Sequence, residues 1–272
     1  MLRARIFSCA MLALSITFAM MATAAPMPAK LSAAEIVDRN VAARGGLSQW
    51  RAVQTLSWSG MMEAGGNNQR YVKNSGMAPP PSDEPAAQVR LPFLLELKRG
   101  RMSRLEIEFN GQTAVQVYDG TQGWKLRPFL NRYEVESFTP AELNLASTQA
   151  DLDGALVDFA AKGTRVELEG IEQVEGKDAY KLKLTLKNGH VVHEWIDAHS
   201  FLDVKMEGTP RQLDGKPHVV SVFLRDYRTV NGLQIPHVIE TVVQGVQRTE
   251  KIHIDKVVVN PQLAESRFGR PI

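Results

Sequence analysis

Arg101-Met-Ser-Arg-Leu-Glu-Ile-Glu-Phe109, Asn110-Gly111, Gln112-Thr-Ala-Val-Gln-Val-Tyr118, Asp119-Gly120 and, after a two-residue spacer, Gly123-Trp-Lys-Leu-Arg-Pro-Phe129 form the stretch that decides the fold. In its first run Leu105, Ile107 and Phe109 alternate with Arg104, Glu106 and Glu108. A period of two marks a half-buried strand, because successive side chains of a pleated strand point to opposite faces. Asn110-Gly111 supplies two residues that tolerate positive φ, as a type I′ hairpin turn requires. Asp119-Gly120 repeats the device, and beyond it Trp124 and Leu126 alternate with Lys125 and Arg127. The stretch predicts a three-stranded antiparallel meander.

Outward from this meander the same grammar continues. Ser32-Ala-Ala-Glu35 is a capping box ahead of Ile36, Val37 and Val41 at helical spacing, and Gly45-Gly46 ends that helix. A short second helix is expected over 47–53, followed by a strand carrying Leu56, Trp58, Gly60 and Met62 on one side. Residues 64–90 change character, with Gly65-Gly66, Pro79-Pro80-Pro81 and Pro85, a density that no element interior tolerates. They read as a Pro/Gly-rich insertion loop, and a lid over a binding site is the alternative. Leu91 to Lys98 resumes as a strand with Phe93, Leu95 and Leu97 on one side. Thr139-Pro-Ala-Glu142 is a second capping box with Pro at the first helical position. From Arg165 strands follow one another, the cleanest being Tyr180, Leu182, Leu184 and Leu186 against Lys181, Lys183, Thr185 and Lys187. Glu175-Gly176, Asn188-Gly189, Asp214-Gly215 and Asn231-Gly232 mark turns between them.

About ten strands joined by short turns imply a mostly antiparallel sheet, since parallel strands need long crossovers. So many twisted strands curl to hide their edges, and the capped helices bury their apolar stripes on the same sheet. The expected fold is mainly β: a curved, incompletely closed antiparallel β-barrel with two or three helices covering the concave side.

Residues 1–24 differ in kind. Arg3 and Arg5 precede an apolar run from Ile6 to Met21, and Ala22-Thr23-Ala24 is a small-x-small cleavage pattern, so the segment reads as a signal peptide. Residues 25–272 are then a single exported domain, expected in the periplasm. Cys9 is the only cysteine and leaves with the leader, so a packed core, and no disulfide, has to stabilise the rest. Removing Arg3 and Arg5 from 32 basic residues leaves 30 against 30 acidic ones. A net charge of zero argues against a nucleic-acid or anionic-membrane binder.

Phe93-Leu-Leu-Glu-Leu-Lys-Arg99, Met102-Ser-Arg-Leu-Glu106, Tyr118-Asp-Gly120 and Gly123-Trp-Lys125 together resemble the outer-membrane lipoprotein-sorting (LolA-like) proteins. Ala150-Asp-Leu-Asp-Gly154, Gly176-Lys-Asp-Ala-Tyr-Lys-Leu182, Lys187-Asn-Gly189 and Asp226-Tyr-Arg228 add to the likeness, which spans nearly all of residues 25–272. It is similar to the uncharacterised branch of that superfamily. The resemblance implies an unclosed antiparallel half-barrel with a helical lid, an apolar concavity that receives acyl chains, no cofactor and no covalent chemistry. No functional residue of the carrier carries over by position, and the 64–90 insertion departs from the family pattern.

The remaining chemistry is sparse. His190-Val-Val-His193 suggests a metal pair, but positions three apart on a strand face opposite sides, so no metal site is assigned. No nucleophile elbow, phosphate-cradling loop or paired-histidine zinc helix is present, and no catalytic residue is assigned. The apolar strand faces say more. Trp58, Phe93, Leu95, Leu97, Leu105, Ile107, Phe109, Trp124 and Leu126 are the candidate ligand-binding residues, each of which, taken singly, reads first as plain core. The function expected is a non-catalytic periplasmic carrier or chaperone for a lipid or lipoprotein acyl chain. Its partners would include envelope membrane proteins and no nucleic acid, and the protein itself would not be integral to a membrane. The alternatives are an envelope sensor or interaction module and, second, a hydrolase, which a buried polar cluster would favour.

Overall fold

A computed structural model describes residues 31–64, 88–213 and 215–272. The expected leader, most of the insertion and Asp214 lie outside the described residues. Three α-helices are described: α1 (Ala33–Ala43), α2 (Leu47–Ala52) and α3 (Pro140–Gln149). The strands are β1 (Thr55–Ala64), β2 (Val89–Lys98), β3 (Met102–Phe109), β4 (Gln112–Tyr118), β5 (Gly123–Arg127), β6 (Arg132–Ser137) and β7 (Arg165–Val174). They continue as β8 (Lys177–Thr185), β9 (Val191–Asp197), β10 (Asp203–Leu213), β11 (Lys216–Val230), β12 (Leu233–Val243) and β13 (Glu250–Val259). Ala64, Val89 and Arg90, placed in the insertion by sequence, belong to strands.

All thirteen strands form one antiparallel sheet, ordered β6-β5-β4-β3-β2-β1-β13-β12-β11-β10-β9-β8-β7. Every neighbour except β1 and β13 is also a neighbour in sequence, so the meander of 101–129 extends both ways into one long meander. β6 and β7 end the order and do not pair, and the barrel stays open between them.

The turns follow the expected chemistry with one correction. Asn110-Gly111 and Asn231-Gly232 take left-handed conformations at both residues, with φ of 50° and 72° in the first and 49° and 81° in the second. Asp119-Gly120 is not a two-residue turn. The loop runs to Gln122: Asp119 donates its N–H to the Gln122 carbonyl, and its carboxylate accepts from the Thr121 and Gln122 amides. An aspartate that satisfies its own loop in this way favours the wider turn.

Helices cover one face of the sheet. Both capping boxes form, Ser32 with Glu35 and Thr139 with Glu142. α1 buries Ile36, Val37 and Val41, and α2 buries Trp50. α3 spans the opening: Lys125 of β5 donates to both Glu142 oxygens (2.5 and 2.7 Å), and Asn144 lies 3.3 Å from His190, in the loop before β9. The 150–164 segment is a series of turns that buries Leu152, Leu156 and Val157. Asp153 fixes it. Its carboxylate accepts from Arg99 (2.9 Å) and from Lys162, its carbonyl accepts from Arg44, and Arg99 also donates to the Val53 carbonyl. The outer face is covered locally by the chain after β13, where Phe268 packs on Val115 and Val117, and Arg267 pairs with Glu96 and Glu106.

The pairing of β1 with β13 contains a bulge between Ser59 and Gly60. A Cβ at Gly60 would lie 1.9 Å from the His253 carbonyl oxygen, so the two backbones approach more closely there than any side chain allows. Gly60→Ala is therefore expected to destabilise by about 1–3 kcal/mol or more, as overpacking does, at the junction of the sheet's two halves. Urea denaturation checks it; a variant as stable as the parent would show that the bulge relaxes freely.

Candidate functional site

Strand register decides which face each side chain occupies. Leu56 pairs with Leu97, Leu97 with Ser103, Ser103 with Tyr118, and Tyr118 with Gly123. Since directly opposed residues share a face, Trp58, Phe93, Leu95, Leu97, Leu105, Ile107 and Phe109 all lie on the face of Leu56. This is also the face of Lys125, which α3 covers, and hence the inner one. Within it Leu56, Phe93 and Leu97 are buried, while Trp58, Leu95, Leu105, Ile107 and Phe109 are half-buried.

Two candidate residues are not there. Trp124 pairs with Val117, Val117 with Arg104 and Arg104 with Glu96, which puts Trp124 and, by alternation, Leu126 on the outer face. They pack with Phe268 and Leu263 of the C-terminal segment. Polarity alone misplaced them: the outer face has its own apolar cover here, and the inward position is taken by Lys125, buried and paired with Glu142.

The inner face continues through the other half of the sheet. Leu182, Leu184 and Ile196 are fully buried there, and Val192, Met206, Val222, Leu224 and Ile239 are half-buried. Among them stands a residue that sequence reasoning missed. Glu194 of β9 pairs with Leu182 on one side and Met206 on the other, and it is 5% exposed. The signal was available, because Glu194 occupies the same parity as Val192 and Ile196.

Around Glu194 lies a polar cluster at the end covered by α1. Asp203 is 3.6 Å from Arg44, and the Tyr227 hydroxyl donates to the Asp203 carbonyl at 2.9 Å. Burial pushes the Glu194 carboxyl up to about 8, the Asp203 charge adds to this, and Arg44 and Lys162 offset it in part. Burial likewise raises Tyr227 far above the ordinary tyrosine range. For Asp153 burial again opposes ionisation, but Lys162 and Arg99 outweigh it and hold the carboxyl below its usual value. The cluster thus contains a carboxyl that stays protonated near neutrality and a phenol whose ionisation is suppressed. It can donate a proton or a hydrogen bond, and it offers no activated nucleophile.

The histidines go to separate partners: His190 to Asn144, and His193 to Glu207 at 2.5 Å on the outer face. A further hollow of about 470 Å³ lies between α1, α2 and the 156–161 turn, lined by Val37, Val41, Leu47, Leu156 and Phe159 among others. It is separate from the half-buried row on β1–β3.

No family model and no curated protein matches this chain. Solved structures do. A LolA superfamily protein from Nitrosomonas europaea is 14% identical, with a TM-score of 0.55, over 89% of this chain and 99% of that one. A DUF1329 family protein from Desulfovibrio piger is 15% identical, with a TM-score of 0.55, over 86% of this chain and 95% of that one. A Vibrio parahaemolyticus domain described as outer membrane lipoprotein-sorting is 12% identical, with a TM-score of 0.53, over 87% and 95%. The fold is LolA-like: a curved antiparallel sheet, open at one seam, with helices on its inner side. Among the described residues no helix is long and apolar enough to cross a membrane.

Glu194 gives a pH prediction. An unfolded glutamate titrates at about 4.5, whereas folded Glu194 holds its proton up to about 8. Between those values the folded state binds a proton that the unfolded state lacks, so this group makes stability fall as pH rises, by at most about 1.4 kcal/mol per unit. Glu194→Gln keeps the shape without the titration and should flatten that slope. Urea denaturation of both proteins across the window checks this; parallel slopes would refute it.

Proposed function

We propose that this chain binds the acyl chain of a lipid or lipoprotein non-covalently on the inner face of its sheet, and carries or senses it in the periplasm. The carrying observation is the row of half-buried apolar residues, Trp58, Leu95, Leu105, Ile107 and Phe109, on the inner side of a sheet that does not close. Hydrophobic burial drives the binding, at about 0.8 kcal/mol per methylene removed from water. Among the described residues the buried Trp58 indole N–H has no hydrogen-bond partner, and an acyl carbonyl arriving at that wall would satisfy it. The likeness to a domain described as lipoprotein-sorting supports the reading, and so does the leader-like segment at residues 1–24, which would bring the chain to the compartment where such cargo travels.

One observation favours the interaction-module alternative. On the edge strand β6 Tyr133 is 65% exposed, and Leu130 before it is 54% exposed. The opposite edge is guarded, since β7 presents Arg165, Glu167 and Glu169, and charges on an edge discourage strand addition.

The acyl reading has a direct test. Dodecanoate or a short-chain phospholipid should shift the tryptophan emission of the protein, and Trp58→Phe should remove most of the shift. Trp124, on the outer face, should contribute little to it. Ile107→Asp places a carboxylate against the hydrocarbon and should weaken binding by about tenfold or more. Ile107→Ala should cost clearly less stability than Leu182→Ala, for which a fully buried position implies about 2–5 kcal/mol. If no lipid alters the emission and Ile107→Ala is as damaging as Leu182→Ala, the inner face is closed core and the reading fails.

A further inference from the structure

The charges at the α1 end of the inner face leave one carboxyl over. Arg44 serves Asp203, Arg99 and Lys162 serve Asp153, and Lys162 also lies 3.1 Å from Asp151. Glu194 is the remaining acid. The residue is 5% exposed, and no hydrogen bond or ion pair joins it to another described residue; its carboxyl oxygens are not among the fully enclosed unpaired side-chain atoms, which belong to Asn40, Trp58 and Arg127. Native proteins rarely leave a buried polar group in this state, so such a group asks for an explanation.

Its placement suggests one. Register sets the Glu194 side chain on the inner face between Leu182, fully buried, and Met206, half-buried. Met206 pairs onward with Val222, also half-buried, so the carboxyl stands where the apolar wall meets the covered end of the concavity. We propose that Glu194 is the head-group site of this concavity and takes the ammonium group of an amine-bearing amphiphile whose chain lies along the wall. The proposal rests on the acyl-binding reading and names the polar end of its ligand.

The chemistry selects among head groups. A carboxylate or phosphate would meet Glu194 and Asp203 together, and the nearby cations Arg44 and Lys162 are already engaged. A hydroxyl would gain one neutral hydrogen bond. An ammonium supplies the missing counter-charge, and a charge-assisted hydrogen bond is about twice as strong as a neutral one. The groups facing Glu194 are Asp203, Arg44, Lys162 and Tyr227. Of these, Tyr227 has committed its proton to the Asp203 carbonyl, so Glu194 is the group left to ionise. The balance is simple. An alkylammonium enters as the cation, Glu194 becomes the carboxylate that pairs with it, and the displaced carboxyl proton leaves to solvent.

The test compares dodecylamine, dodecanol and dodecanoate, which share a chain and differ in the head, by calorimetry and Trp58 emission at about pH 7. Dodecylamine is expected to bind at least about tenfold more tightly than dodecanol. Its binding should release a proton, seen as heats that depend on the ionisation enthalpy of the buffer, while dodecanol should release none. Glu194→Gln, isosteric with the protonated acid, should bring the amine and the alcohol to equal affinity and abolish the release. If the three bind alike, or Glu194→Gln keeps the amine preference, the head-group site is wrong while the acyl reading stands. If none of them binds, the acyl reading falls and the head-group site with it. Because proton release is read on the unmodified protein, a Glu194→Gln variant that fails to fold leaves the proposal decidable.

Discussion

β6 and β7 do not meet, and the interior of the protein is arranged around that gap. A sheet of thirteen twisted strands has to curl, and curling turns one apolar face inward. Here α3 spans the gap through Lys125–Glu142 and Asn144–His190, and Asp153 pins the 150–164 turns to Arg99, Arg44 and Lys162. These anchors are polar, and the turns also bury Leu152, Leu156 and Val157. On the inner face Trp58, Leu105 and Ile107 are half-buried.

Polar groups inside this interior follow one rule, that a buried charge needs a partner. Lys125 has Glu142, and Asp153 has two cations. Asp203 has Arg44. Glu194 has none, and so the proton stays on it. The asymmetry follows from geometry more than from composition, because Arg44 and Lys162 are near enough to influence Glu194 but are bonded elsewhere.

Much of this was legible in the amino-acid order. The Asn-Gly turns, both capping boxes and the alternation of β3 and β8 each depend on residues within a few positions of one another, and each formed as read. β6 was missed because it is exposed along most of its length, so its pattern carries little hydrophobic contrast. The Asp119 loop was misread because the aspartate side chain, and not the Asp-Gly pair, sets its length.

What the sequence determined by itself was local: which residues turn, which cap, and which share a face within a single strand. Alternation defines two faces but does not say which is inner, and here the two halves of the choice came apart. Leu105 and Ile107 faced the concavity, whereas Trp124 and Leu126, with the same alternation two strands away, faced outward under Phe268. That outcome required the C-terminal segment to cross the outer face, a contact between residues far apart in the chain. Glu194 is the same lesson reversed. Its parity was written in β9, but whether a charge at that parity would find a partner depended on where Arg44, Lys162 and Asp203 came to rest, and only the tertiary structure decided that.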